Sequence, residues 1–232
     1  MGLFAILSST MSKNPVLKPF ASSLGTPEGW SGFVASASTI PGILISLPAA
    51  SLSDILGRRK FLLLAGFVFA SAPFLYLLIA MWWQLILVRF YHGFATAIFV
   101  PVAEASVAEL FPTKRGERIS LFSSATYVGR LIAPTLGGFI LFATDDNFHL
   151  LYLAVAVAGV TAFIMALPFL TERKQSTVLQ RDARETATEL FRGWRTLAKN
   201  RWVLVVGLVQ ACQYYSYGTV EFFLVGYLSE VV

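Results

Sequence analysis

Charge is what this chain has least of. Of its 232 residues only 13% are Asp, Glu, Lys or Arg and 56% are hydrophobic, against about 25% and 45–50% in soluble domains. Residues 30–50 and 61–81 carry no charge at all. With a mean hydropathy of +0.68, this scarcity excludes a soluble globular fold and predicts an all-α, polytopic membrane protein. Cysteine is nearly absent too. The single Cys212 excludes an internal disulfide framework and a cysteine metal cluster. The two histidines, His92 and His149, lie far apart, and there is no nucleophile motif or phosphate loop. No enzyme, metal or cofactor is therefore expected. The first apolar stretch has no basic region ahead of it, so no cleavable signal peptide is expected. The net charge of +5 sits in short loops between apolar runs rather than in a basic domain, which argues against a nucleic-acid partner.

What the chain does have is a series of apolar runs of about 20 residues, each long enough to cross a bilayer core as a helix. Span 1 covers about Leu3 to Leu24 and is the least apolar, interrupted by Lys13, Asn14, Pro15, Lys18 and Pro19. Thr26-Pro27-Glu28 is a helix-start signature, and span 2 follows to about Leu52. Span 3 runs from Phe61 to Met81 and ends on the interfacial pair Trp82-Trp83. Spans 4, 5 and 6 are Gln84–Ala108, Ile119–Phe142 and His149–Leu170, and span 7 is Trp202–Leu224. Between spans 6 and 7, Leu190, Phe191, Trp194 and Leu197 recur at helical spacing among Arg192, Arg195 and Lys199. That pattern suits a helix lying in the membrane interface. The expected division is a six-helix domain over 1–170, a cytoplasmic linker with an amphipathic helix over 171–200, and the first helix of an incomplete C-terminal domain over 201–232.

The loops orient the spans. Those after spans 2 and 4 hold Arg58, Arg59, Lys60, Lys114, Arg115 and Arg118, and the segment after span 6 holds eight more cations up to Arg201. Those after spans 1, 3 and 5 hold no Lys or Arg. By the positive-inside rule the N-terminus is cytoplasmic. The membrane is most simply a prokaryotic inner membrane. A weak internal repeat runs alongside: Pro15-Val16 matches Pro101-Val102, Leu24 matches Leu110 and Pro48 matches Pro134, all at an offset of 86. Spans 1–3 and 4–6 then form two copies of a three-helix unit. An odd unit inserts its copies in opposite senses, as secondary transporters do.

Ionisable residues inside spans are costly against lipid and therefore face protein or water. Spans 1, 4, 5 and 7 carry Lys13, Lys18, Arg89, Glu104, Arg130 and Glu221, so they line an interior, while the uncharged spans 3 and 6 can face lipid. Lys18 and Glu221 lie near span ends, where they can snorkel. Arg89 lies two turns from a span end and either holds span 4 by backbone hydrogen bonds or takes part in proton coupling. Glu104 and Arg130 lie on adjoining antiparallel spans, where they can pair structurally or serve a cavity. Lys13 and Asn14, near mid-depth, are cavity candidates.

Three stretches carry a resemblance. Ala50-Ser51-Leu52-Ser53-Asp54-Ile55-Leu56-Gly57-Arg58-Arg59-Lys60 resembles the G-x-L-a-D-r-x-G-r-r turn of the major facilitator superfamily, with Ala50 and Ile55 departing from it. Arg89 to Ala97, with Gly93, resembles the R-x-x-x-G signature of its fourth helix. Gly129-Arg130-Leu131-Ile132-Ala133-Pro134-Thr135-Leu136-Gly137-Gly138 resembles the G-x-x-x-G-P-x-x-G-G signature of its antiporter branch, with Ala133 for the second Gly.

The resemblance implies the N-terminal half of a twelve-helix transporter that works by alternating access. Its other half is missing and would come from the same or another chain. It further implies proton-coupled efflux of a small molecule, with the proton gradient as energy source. In that scheme Asp54, Gly57, Arg58, Arg59 and Lys60 gate the cytoplasmic side. Arg89 and Gly93 stabilise the fourth helix or couple protons, and Gly129, Pro134, Gly137 and Gly138 shape a bend in the fifth. A sugar or organic-anion porter of the same fold is the nearest alternative, and a non-transporting fragment or scaffold a more distant one. A retinal-type receptor is excluded because residues 202–228 contain no lysine.

Overall fold

A computed structural model describes residues 1–170 and 199–231, with Arg192, Arg195 and Thr196 between them. The amphipathic segment expected around Leu190, Phe191, Trp194 and Leu197 lies outside the described residues. The chain forms two compact units, Met1–Glu172 and Arg173–Val232. In the second, one helix spans Arg201–Val231. Asn200 starts it, its side-chain oxygen accepting from the Trp202 amide at 3.0 Å, as helix-capping residues do.

The first unit is built of eight helices: α1 Gly2–Met11, α2 Leu17–Ser23, α3 Glu28–Ser36, α4 Thr39–Leu56, α5 Arg58–Tyr76, α6 Trp82–Leu110, α7 Arg115–Ala143 and α8 Phe148–Ala166. A short 3-10 turn, Leu167–Leu170, follows. No strand occurs among the described residues, and five helical stretches are long and apolar enough to cross a membrane.

Two spans expected as single helices are interrupted. Span 1 divides into α1 and α2 around Lys13, Asn14 and Pro15. Proline has no amide hydrogen to donate into a helix and crowds the preceding turn. Span 2 divides into α3 and α4 at Ala37–Ser38. Here the proline lies downstream: Pro41 lacks the amide that would bond the Ala37 carbonyl of a continuous helix. The α4–α5 turn is as sharp as its sequence implies. Gly57 takes φ 97°, ψ 121°, a region glycine enters freely and other residues rarely.

The helices pair as an exchange of two three-helix units requires. α1 packs along α7 as α4 packs along α6, and α5 packs on α6 as α8 packs on α1. α5 and α8, the third helix of each unit, pack on each other. Small residues allow these approaches. A Cβ on Gly159 would lie 2.2 Å from the Phe69 carbonyl oxygen, and one on Gly129 would lie 2.5 Å from that of Leu3. Around these seams a buried core forms from Ala65, Val68, Phe69, Ala95, Phe99 and Val102. The outward faces of α5 and α8 are apolar, with Leu64, Phe67, Phe74, Leu153, Val157 and Ile164 exposed, which suits helices whose other side meets lipid.

Candidate functional site

Two polar clusters of the first unit touch α6. The first is at the Gly57 end. Because Gly57 reverses the chain, the first turn of α5 returns beside the last turn of α4. Arg58 then donates from Nε and Nη2 to Asp54 Oδ1 at 2.9 and 2.8 Å. Its Nη1 reaches the last turn of α6, donating to Glu109 Oε2 at 2.7 Å and to the Ala105 carbonyl. One guanidinium therefore ties three helix ends together, using the fork geometry that lysine lacks. Asp54 and Glu109 are each 57% exposed against 20% for Arg58. Solvent screens both pairs, and each contributes at most about 1 kcal/mol. Arg59 and Lys60 are exposed. Glu109 was not among the sequence candidates, because it falls just beyond span 4, Gln84–Ala108.

This arrangement predicts that Arg58→Gln lowers the melting temperature of the detergent-solubilised protein only slightly, consistent with about 1 kcal/mol. High salt should bring the native protein close to the variant. A melting temperature insensitive to salt in both would show that the node does not hold the three helix ends.

The second place lies inside the bundle. Arg89 is on α6, about 10 Å from its start at 1.5 Å per residue, and it is 2% exposed. Its Nε donates to the Val34 carbonyl at 2.7 Å, and its Nη2 donates to the Ala35 carbonyl at 2.8 Å and to Ser38 Oγ at 3.0 Å. In an unbroken helix those carbonyls would accept from the amides of Ser38 and Thr39. The guanidinium thus substitutes for helix hydrogen bonds at the α3–α4 break, and it places a cation at the negative end of α3. One turn along α6, a Cβ on Gly93 would lie 2.4 Å from the Ser38 carbonyl oxygen, so the glycine lets α6 approach near enough for Arg89 to reach.

Arg89 also borders a buried aromatic and polar cluster. Tyr76 of α5 stacks on Tyr152 of α8 with centroids 4.5 Å apart and planes 3° from parallel. The His92 ring meets Tyr76 edge-on at 5.9 Å and Phe69 at 6.1 Å. Ser12, in the α1–α2 break, is 3.5 Å from His92 Nδ1. Lys13 and Asn14 are half-buried in the same break. Ser12, Tyr76 and Tyr152 had no signal that would single them out, since isolated hydroxyls in apolar runs are ordinary.

The remaining sequence candidates are dispersed. Gly129, Ala133, Gly137 and Leu141 are the buried residues of α7, and Gly129 and Gly137 meet α1 and the turn after it. Gly138 faces Pro15, and Pro134 lies inside α7. Glu104 is half-buried on α6. Arg130 is exposed, with its guanidinium 5.6 Å above the Tyr127 ring centre. No ion pair joins Glu104 to Arg130 among the described residues.

The sequence profile of the Major Facilitator Superfamily matches residues 1–231. This chain belongs to that superfamily. Among curated proteins, a multidrug transporter of Candida glabrata is 32% identical over 59% of this chain and 23% of its own length. An uncharacterised transporter of the same family from Methanocaldococcus jannaschii is 27% identical over 54% of this chain and 33% of its own. A quinolone resistance protein of Staphylococcus aureus is 22% identical over 70% of this chain and 42% of its own. The chain spans less than half the length of these relatives. As a member of the superfamily it is an integral, multi-pass membrane protein of a transporter family, and its relatives are named for transport and drug resistance rather than for an enzyme reaction.

Proposed function

We propose that this superfamily member is part of a secondary active transporter that expels small molecules by alternating access, coupled to inward proton flow. The observation that carries the reading is the helix pairing. α1, α4, α5, α6, α7 and α8 pair as two three-helix units exchange, the construction by which secondary transporters rock about a central site. The multidrug and quinolone-resistance relatives favour an organic drug-like substrate and the outward direction.

In this reading the Gly57 end is cytoplasmic, the membrane is a prokaryotic inner membrane, and the N-terminus is inside. The proton gradient is the energy source and no cofactor takes part. Residues 1–170 are the N-terminal half of the transporter and 201–232 begin its second half, which the same or another polypeptide completes. The Arg58 node with Asp54, Arg59 and Lys60 gates the cytoplasmic side, and the α7 stripe of Gly129, Pro134, Gly137 and Gly138 sets the packing on which rocking depends. Lys13, Asn14, Glu104 and Arg130 serve the cavity, and Arg89 holds α6 beside it.

The test is export of a fluorescent quinolone or cationic dye from inverted vesicles and liposomes carrying the whole gene product. Export that collapses with the proton gradient is expected, along with a severalfold loss in the Glu104→Gln, Arg130→Gln double variant. Absence of gradient-driven flux would overturn the efflux reading. Unchanged flux in the double variant would remove those two residues from it.

A further inference from the structure

A cleft of about 230 Å³ lies in the apolar flank of the first unit, where α7 and α8 both pack on α1. Leu7 of α1 lines its floor, Leu136 and Ile140 of α7 one wall, and Ala154, Ala158 and Thr161 of α8 the other. The three α8 residues recur on one helix face, and their short side chains leave the space open. Val157 also lines the cleft and is 68% exposed, on the same outward face of α8 as Leu153 and Ile164. The cleft therefore opens toward lipid.

Its lining decides what fills it. Thr161 is the only polar residue among those lining it, and its hydroxyl donates to the Val157 carbonyl at 2.7 Å within its own helix. A buried water needs two to four polar partners, and an apolar cavity of about 150 Å³ stays dry and takes up hydrocarbon. In a bilayer the hydrocarbon at hand is an acyl chain.

The depth says which leaflet supplies it. Along α8, at about 1.5 Å per residue, the cleft runs from about 9 Å to about 20 Å below the α7–α8 turn, within a hydrocarbon core of about 30 Å. A chain lying there reaches headgroup level at that turn. Asp145 and Asp146 are exposed in the turn, which holds no Lys or Arg. Two carboxylates favour a headgroup ending in an ammonium and disfavour one that is only anionic.

We propose that the α1–α7–α8 cleft binds one acyl chain of an ammonium-bearing phospholipid from the leaflet that meets the α7–α8 turn. The site rests on the chain's place in a membrane and not on the efflux reading.

Nanodiscs of the whole gene product test it, with phospholipid probes carrying a photoactivatable diazirine midway along one acyl chain. Leu136 and Leu153 have the same side chain and similar exposure, 39% and 45%, but only Leu136 lines the cleft. Casual contact with lipid would label them alike. A phosphatidylethanolamine probe should label Leu136 severalfold more than Leu153. Ala154→Phe puts a ring into the cleft and should bring Leu136 down to the level of Leu153, with melting to show that the variant is folded. The native comparison stands whether or not that variant folds. A phosphatidylglycerol probe with the same chains should label Leu136 severalfold less. The Asp145→Asn, Asp146→Asn double variant should erase that difference, and asparagine tolerates the left-handed backbone of both positions, φ 51° and 59°. Equal labelling of the two leucines, or none at Leu136 because protein fills the cleft, would overturn the site. So would unchanged Leu136 labelling in folded Ala154→Phe. Equal labelling of Leu136 by the two probes would overturn the headgroup assignment.

Discussion

Gly93→Val is expected to leave little folded protein in the membrane. A Cβ at this position lies 2.4 Å from the Ser38 carbonyl oxygen, 3.0 Å from the Ser38 carbonyl carbon and 3.0 Å from Pro41 Cγ. Two of the three obstacles are backbone, which a rotamer change cannot move. Overpacking of this kind costs about 1–3 kcal/mol in a core that can adjust. Here the adjustment is to push α4 and the α3–α4 break away from α6, which also pulls Val34, Ala35 and Ser38 from Arg89. The two losses add, so the effect lies at or above the upper end of that range. Gly93→Ala shares the same Cβ and should fail to a lesser degree. Gly116, with open space around it, supplies the control, because Gly116→Val meets nothing. Monodisperse yield by fluorescence-detected size exclusion, with melting of whatever is recovered, decides the matter. A Gly93→Val protein with native yield and melting would mean that α4 and α6 do not meet as described.

Arg89→Leu should cost about 3 kcal/mol or more, because three hydrogen bonds from one charged donor are lost together. The change strands two backbone carbonyls and the Ser38 hydroxyl away from water, each worth about 1–3 kcal/mol when unsatisfied. Arg89→Lys keeps the charge but offers one compact ammonium in place of a planar fork. It should recover part of the loss, since it can reach one carbonyl or two but not hold the spacing of both. Denaturant or thermal unfolding in detergent measures the difference. Because the acceptors are neutral, the native stabilisation should persist in high salt, unlike that of Arg58. Equal stability of Arg89→Leu and the native chain would show that the α3–α4 break needs no external donor.

The large divisions of this molecule were legible because the bilayer imposes them. The absence of charge in residues 30–50 and 61–81 sets two spans, and the cations of Arg58 to Lys60 mark the turn between them. Gly57 advertised the reversal it makes. The repeat read from Pro15, Pro48, Pro101 and Pro134 matches the pairing of the helices. Finer features were not legible where they depend on distant partners. Span 1 was read as one helix although Lys13, Asn14 and Pro15 break its apolar run, and the division of span 2 at Ala37–Ser38 rests on a proline four residues on and an arginine more than fifty residues on. Arg89 itself stood out, and backbone bonding was one of its two readings, but its acceptors could not be named. Ser12, Tyr76, His92 and Tyr152 come from four different helices or turns, and no local spacing joins them. The Glu104–Arg130 pairing looked plausible from adjacency alone, yet exposed Arg130 lies over its own helix neighbour Tyr127.

The two arginines grip α6 by different means, and this makes the helix a lever with unequal mountings. Arg89 is bolted to neutral carbonyls inside the bundle, where salt and small ions have little purchase. Arg58 is latched to two solvent-exposed carboxylates at the other end, where screening and competing charges act directly. Salt and competing charge therefore reach the Glu109 mounting of α6 and leave the Arg89 mounting untouched.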